Sequence, residues 1–146
     1  MADWTAHFGD QLLTKEGLKP TSQVLAGKKI IGLYFSAHWC PPCRQFTPVL
    51  ASTYEDMVEE HDDFEVIFVS SDRDAASFEE YYASMPFKAL PFTNRAKKAE
   101  ISARYGVSGI PMLIFLNDQG EVITTDGRRI ISTAQGDVDN IYADLS

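Results

Sequence analysis

Residues 36–46 read SAHWCPPCRQF, and this stretch decides how the rest of the chain is interpreted. It holds the only two cysteines of the 146-residue sequence, Cys40 and Cys43, which are separated by Pro41 and Pro42. A disulfide between them would add little stability to a domain, because a cross-link stabilises through the length of chain that it constrains. The pair therefore predicts redox chemistry or metal binding rather than a structural cross-link.

The flanking residues place the two cysteines at the junction of a strand and a helix. Residues 28–37 form a short apolar run, which predicts a buried strand, and apolar residues after Pro41 recur at the spacing of one helical face. The first amides of a helix lack intrahelical partners and the helix dipole is positive there, so a thiolate is favoured at Cys40. We expect Cys40 to be the nucleophile and Cys43, one turn later, to attack the mixed disulfide formed at Cys40.

A zinc site is the alternative interpretation of the same cysteines. His38, Cys40 and Cys43 could supply three ligands, with His7 or His61 as the fourth, and a structural zinc ion needs four. The sequence has no second pair with zinc-site spacing, and the cysteines follow an apolar strand at a helix opening, which is the context of a redox pair. Redox chemistry is therefore favoured over a metal site and over two inert buried thiols, with no metal and with the dithiol itself in place of a cofactor.

A second sequence feature converges on the cysteines. Gly109, Ile110 and Pro111 come directly before an apolar strand, residues 112–117, and a proline is unusual at the opening of a central strand. A cis Ile110–Pro111 bond would explain this proline and would form a tight turn beside the cysteines, whereas a trans proline at the strand start is the alternative. We expect the backbone of Ile110 to pair with an extended substrate.

The remaining pattern alternates strands with helices, which predicts a mixed sheet with helices on both faces. The length fits one domain, residues 1–146. The further predicted elements are a buried strand at 64–71, helices at 73–85 and 94–106, a strand hairpin at 111–117 and 121–127, and a final helix at 133–145.

Charge and hydropathy limit the expected partners and compartment. The formal net charge of −8 and the pI of about 4.7 argue against nucleic acid, since binding phosphates requires a basic face. No apolar run approaches the roughly 20 residues of a membrane span. The first residues, MADWTAHFGDQLL, carry acids and lack the apolar core of a secretory signal. We expect a monomer in the cytoplasm, and the nucleus is also compatible with these features.

Four stretches together resemble the tryparedoxin and nucleoredoxin branch of the thioredoxin-like family. They are FSAHWCPPCRQFTPVL (35–50), FEVIFVSSDRD (64–74), FEEYYASMPFKALPF (78–92) and YGVSGIPMLIFLNDQGEVIT (105–124). The resemblance covers about residues 24–130 and implies an α/β thioredoxin-like fold, with a central mixed β-sheet flanked by helices on both faces. It also implies an N-terminal extension at 1–23 and an added helix around Ala75 to Ala83.

By the same resemblance, we expect a thiol-disulfide oxidoreductase that acts as a protein-disulfide reductase. Its partners would be protein disulfides and a small-thiol or reductase electron donor. Trp39, Pro41, Ile110 and Pro111 are the expected substrate-contacting residues. The alternative is a redox-regulated adaptor, as nucleoredoxins are understood to be, which binds signalling partners with little turnover.

The chain also departs from the family pattern. Tyr34 stands on the strand where thioredoxins proper carry a buried acid, so another proton acceptor is needed unless bulk water serves. Asp72 is the candidate for proton transfer, with a helix N-cap as its alternative role. Arg128 or Arg129 could steer an acidic substrate, with a solvated surface position as the alternative. Ser71 replaces a tryptophan of tryparedoxins.

Overall fold

The computed structural model describes residues 2–146. The strands are β1 (Gln11–Thr14), β2 (Gly17–Pro20), β3 (Ile30–Ser36), β4 (Phe64–Ser70), β5 (Lys88–Ala89), β6 (Met112–Asn117) and β7 (Val122–Thr124). The helices are α1 (Trp4–Phe8), α2 (Thr21–Val24), α3 (Pro41–Glu60), α4 (Ala75–Tyr82), α5 (Arg95–Arg104), α6 (Gly127–Ala134) and α7 (Val138–Leu145).

All the strands of the described residues belong to one sheet, in the order β2-β1-β5-β4-β3-β6-β7. The central strand β3 runs parallel to β4 and antiparallel to β6, which makes the sheet mixed, as predicted. Every residue of β3 and of β4 is buried. Continuous apolar runs suit such strands because helices cover both faces of the sheet.

Two apolar cores lie on opposite faces of this sheet. One packs α3, α4, α6 and α7 against it, and the other packs α1, α5 and the end of α2. Leu50 and Met57 of α3 are fully buried in the first core, and Phe8 and Leu25 are fully buried in the second. Because β3 is held from both sides, the loop that follows it starts from a fixed position.

The structure confirms most of the predicted elements with small differences at their ends. The expected strands at 28–37 and 64–71 are β3 and β4, and the added helix expected around Ala75 to Ala83 is α4. The predicted hairpin is β6 and β7, which pair antiparallel. Among residues 2–146, no helix is both long enough and apolar enough to span a bilayer.

Three regions differ from the sequence prediction. The described part of the N-terminal extension contains a hairpin, β1 and β2, and β1 joins the main sheet where Leu13 pairs with Ala89 of β5. Met1, which the predicted extension includes, lies outside the described residues. The two-residue strand β5 and the helix α6 were not predicted. The first residue of α6 is Gly127. A glycine is needed at this position because a Cβ would come within 2.7 Å of Leu113 on β6.

Candidate active site

The two cysteines lie at the start of α3, directly after the loop that follows β3. Cys40 is the N-cap residue, and Pro41 and Pro42 fill the first turn, where a missing N–H leaves no hydrogen bond unmade. Both thiols are free. Cys40 is 5% exposed and Cys43 is fully buried, so an incoming reagent meets Cys40 first.

Cys43 is held in its protonated form by its surroundings. Burial raises the pKa of its thiol to about 11, and a hydrogen bond that the thiol donates to the sulfur of Cys40 acts in the same direction. The hydroxyl of Ser36 and the amide of Ala37 oppose this shift, because both donate to the Cys43 sulfur and favour its thiolate. The two cysteine side chains thus pack together in one buried cluster.

The Ile110–Pro111 peptide bond is cis, which confirms the prediction for this turn. The turn packs against the cysteines, and the thiol of Cys40 lies 3.9 Å from the carbonyl oxygen of Ile110. Ile110 is half-buried. The backbone before the proline therefore lies beside the more accessible sulfur.

The indole ring of Trp39 is held by a hydrogen bond at one edge and is exposed to solvent elsewhere. Its indole Nε1 donates to the carbonyl oxygen of Ser71 at 3.0 Å, and the Arg73 guanidinium lies 5.5 Å from the ring centroid. The side chain is nonetheless 51% exposed. Pro41 is exposed on the other side of Cys40. The residues on both sides of Cys40 in the chain are therefore exposed to solvent.

Asp72 connects the end of β4 to the loop before Cys40. Its buried carboxylate accepts hydrogen bonds from the backbone amide of His38 and from the hydroxyl of Ser70, each at 2.7 Å. Arg95 donates to the carbonyl of Ser70 at 2.9 Å, which brings a cation close to the carboxylate. The alternative helix N-cap role is wrong, because Asp74 caps α4. Asp72 instead holds the cysteine loop in place.

Of the two candidate arginines, the structure brings Arg128 to the site. Its guanidinium donates to the carbonyl oxygen of Pro111 at 3.2 Å and lies 5.8 Å from the ring centroid of Phe46. Arg129 instead pairs with Asp126 on the exposed surface. The close packing of α6 on β6 therefore places the Arg128 guanidinium beside the cis-proline turn.

A family model described as thioredoxin-like matches residues 27–122. The chain belongs to the thioredoxin-like family. It is 48% identical to nucleoredoxin from Homo sapiens over 117 residues, which cover 80% of this chain and 27% of that protein. The chain thus spans about a quarter of the length of the nucleoredoxin it matches.

Two tryparedoxins are matched over most of their own length. Tryparedoxin from Trypanosoma brucei brucei is 45% identical over 129 residues, which cover 86% of each protein. A solved structure of tryparedoxin II complexed with glutathionylspermidine superposes with a TM-score of 0.82, at 36% identity and over 90% of both chains. These findings confirm the thioredoxin-like fold and the predicted tryparedoxin and nucleoredoxin branch.

A buried network of hydroxyl groups behind Cys43 was not predicted from the sequence. The hydroxyl of Thr47 donates to the carbonyl of Cys43 at 2.9 Å and lies 2.6 Å from the Tyr34 hydroxyl and 2.5 Å from that of Tyr81. The Tyr81 hydroxyl in turn lies 2.7 Å from that of Ser36. Burial raises the pKa values of Tyr34 and Tyr81, so both phenols stay protonated.

Part of this network had a local signal in the sequence. Tyr34 and Ser36 alternate on one strand and so face the same side, and Thr47 follows Cys43 by one helical turn. These three residues could have been grouped on that basis. Tyr81 could not, because it reaches the site only through the packing of α4.

The three histidines of the alternative zinc interpretation lie in separate contacts. His38 stacks on Tyr81, with ring centroids 5.2 Å apart. His61 stacks on Tyr142 near the C-terminal helix at 3.9 Å, and His7 lies in α1, in contact with another aromatic ring. The structure therefore gives His7 and His61 other surroundings than the cysteine loop.

Proposed function

We propose that the chain is a protein-disulfide reductase, with Cys40 as the nucleophile and Cys43 as the resolving thiol. The observation that carries the proposal is the contact between two free thiols at a helix start, one of which touches the carbonyl of Ile110 before a cis proline. Membership of a family of thiol oxidoreductases supports it.

In the first step, the Cys40 thiolate attacks one sulfur of the substrate disulfide. A Cys40–substrate disulfide forms, the substrate S–S bond breaks, and the other substrate sulfur leaves as a thiolate. Cys40 attacks from the N-cap position of α3, where the first backbone amides of the helix have no intrahelical partner. Trp39, Pro41 and the Ile110–Pro111 turn provide the surface that orients the substrate.

In the second step, Cys43 loses its proton and attacks the Cys40 sulfur. The Cys40–Cys43 disulfide forms, and the second substrate sulfur leaves as a thiolate that takes up a proton. In the dithiol, burial and the Cys40 thiol raise the pKa of Cys43 to about 11, whereas the hydroxyl of Ser36 acts in the opposite direction by favouring the thiolate. In this proposal Asp72 holds the cysteine loop, as its contacts support, rather than transferring the proton.

Two electrons from a small thiol or a reductase then restore the dithiol. The relative complexed with glutathionylspermidine supports a small thiol as the donor. Arg128, which binds the carbonyl of Pro111, would attract an acidic group of donor or substrate to the turn.

Insulin reduction with dithiothreitol as electron donor tests the proposal. The wild type should accelerate precipitation of the insulin B chain, and Cys40→Ser should not. Cys43→Ser should retain the first step and accumulate a mixed disulfide with the substrate, which non-reducing electrophoresis and mass spectrometry detect. Equal rates for the wild type and Cys40→Ser would refute the proposal.

The redox-regulated adaptor remains a second candidate because half of Trp39 is exposed beside the cysteine pair. An adaptor would bind a partner differently in the dithiol and disulfide states while turning over few disulfides. Insulin turnover close to the uncatalysed rate, together with redox-dependent binding, would favour it over the reductase.

A further inference from the structure

A groove of about 300 Å³ opens beside Cys40, between Trp39 and the loop that leads into the cis-proline turn. Phe35, Val107 and Ile110 give it apolar walls, and Ser71 and Ser102 add hydroxyl groups. The loop contributes four consecutive residues, 107–110. An extended chain of about the same length fits alongside them, since a strand residue rises by about 3.3 Å.

Lys98 is the one charged residue in the lining of this groove. It is half-buried in α5, and in the described part of the chain no carboxylate lies within ion-pair distance of it. Its neighbour Lys97 differs, because Lys97 pairs with Glu100 at 2.9 Å and donates to the carbonyl of Ala6 at 2.7 Å. The Lys98 ammonium is therefore available to a bound molecule.

The surroundings of the groove are basic although the chain is acidic. The formal net charge of the chain is −8. Arg73 nevertheless lies over Trp39, and Arg128 binds the carbonyl of Pro111, the residue that follows Ile110 of the groove. Asp72, the nearby acid, is buried and occupied by hydrogen bonds from the loop. A substrate approaching Cys40 therefore meets cations.

We propose that this groove holds the extended segment on one side of the substrate cysteine, and that Lys98 selects substrates with an aspartate or glutamate in that segment. The proposal rests on the proposed reductase function and names its substrate class, an acidic peptide disulfide. An ammonium group beside apolar walls favours a carboxylate because the walls exclude water and weaken screening.

Short peptides with one cysteine, blocked as a mixed disulfide with 2-thiopyridine, test the selection. Cys40 attacks the peptide sulfur, the peptide–pyridyl S–S bond breaks, and neutral pyridine-2-thione leaves and is followed by absorbance. Cys43 then displaces the peptide thiol, so that the dithiol is oxidised by two electrons and the peptide disulfide is reduced. Glutamate, glutamine or lysine is placed within four residues of the cysteine, before it in one set and after it in the other.

The pre-reduced wild type should react roughly fivefold faster with the glutamate peptide than with the lysine peptide in one of the two sets. Lys98→Gln should bring this ratio close to one, and Lys98→Glu should reverse it. Added salt should reduce the wild-type ratio. Lys29→Glu is the matched control: Lys29 is exposed before β3, at the opposite end of that strand from the cysteines, and its replacement should leave the ratio unchanged.

Equal wild-type rates with all three peptides would overturn the selection by Lys98. A preference for glutamate that survives in Lys98→Glu would also overturn it, since the selecting cation would lie elsewhere. Failure of the wild type to react with any peptide above the uncatalysed rate would instead overturn the reductase function on which the inference rests.

Discussion

The replacement Tyr81→Phe removes the hydroxyl that links α4 to the strand and the helix carrying the cysteines. Two short hydroxyl contacts are lost, to Ser36 at 2.7 Å and to Thr47 at 2.5 Å. Thr47 keeps the hydroxyl of Tyr34 and the carbonyl of Cys43 as partners, whereas Ser36 loses the contact that orients its hydroxyl. At about 1 kcal/mol for each buried hydrogen bond, with more for an incompletely paired group, the free energy of unfolding should fall by about 1–3 kcal/mol.

Urea denaturation of the reduced protein measures this change, and a double-mutant cycle assigns it. Thr47→Val preserves the shape of the side chain and removes its hydroxyl, so Tyr81→Phe should be less destabilising in the Thr47→Val background. The difference should be about 1 kcal/mol, as expected for residues in direct contact. Strict additivity of the two replacements would show that their hydroxyl groups are not coupled.

The same variant should also alter the resolving step. Because the Ser36 hydroxyl lowers the pKa of Cys43, a Ser36 that is less well oriented should shift the pH dependence of mixed-disulfide resolution to higher pH. Rapid mixing followed by acid quench and mass spectrometry gives the lifetime of the intermediate. A lifetime and pH profile identical to those of the wild type, with unchanged stability, would refute the role given to this network.

Further predictions concern the loop, the buried thiol and the arginine. Asp72→Ala should lower the free energy of unfolding by about 1–3 kcal/mol, measured in urea, because the His38 amide loses a charged acceptor; a change below about 0.5 kcal/mol would contradict the anchoring role. The pKa of Cys43 rises on folding from 9.0 to about 11, so its thiol contributes stability that is complete below pH 9 and is lost as the pH rises towards 11. The unfolding free energy of the reduced wild type should therefore fall more steeply than that of Cys43→Ala over this range, and parallel curves would contradict it. Arg128→Met should reduce insulin several-fold more slowly than Arg129→Met, since only Arg128 binds the Pro111 carbonyl; equal rates would exclude a role for that contact.

The sequence predicted the parts of the site that short segments encode by themselves. The strand before Cys40 and the helix after it follow from local hydrophobic patterns, and a proline at the opening of a central strand pointed to the cis bond before Pro111. Each of these signals lies within about ten residues, so one segment was enough to identify it. Their meeting in space follows from the antiparallel pairing of β3 with β6.

The parts that the sequence did not predict depend on contacts between distant segments. The helix α6 begins at Gly127, a residue that would normally mark a turn, and only its close approach to Leu113 explains the glycine. Without α6, Arg128 could not be assigned to the Pro111 carbonyl. Similarly, β5 has two residues and exists because β1 and β4 flank it.

The surroundings of Cys43, the proposed resolving thiol, could be understood only from the sequence and the structure together. The position of Tyr34 shows why. A charged acid buried at this position would favour proton removal from Cys43, but a phenol whose pKa is raised by burial cannot serve as a base near neutral pH. The structure supplies donors instead, namely the Ser36 hydroxyl and the Ala37 amide, which stabilise the thiolate once it forms. Tyr81 fixes Ser36 from α4, so the added helix that the family resemblance implied also reaches the surroundings of Cys43. Proton removal should therefore depend on solvent access to Cys43 after the first sulfur exchange.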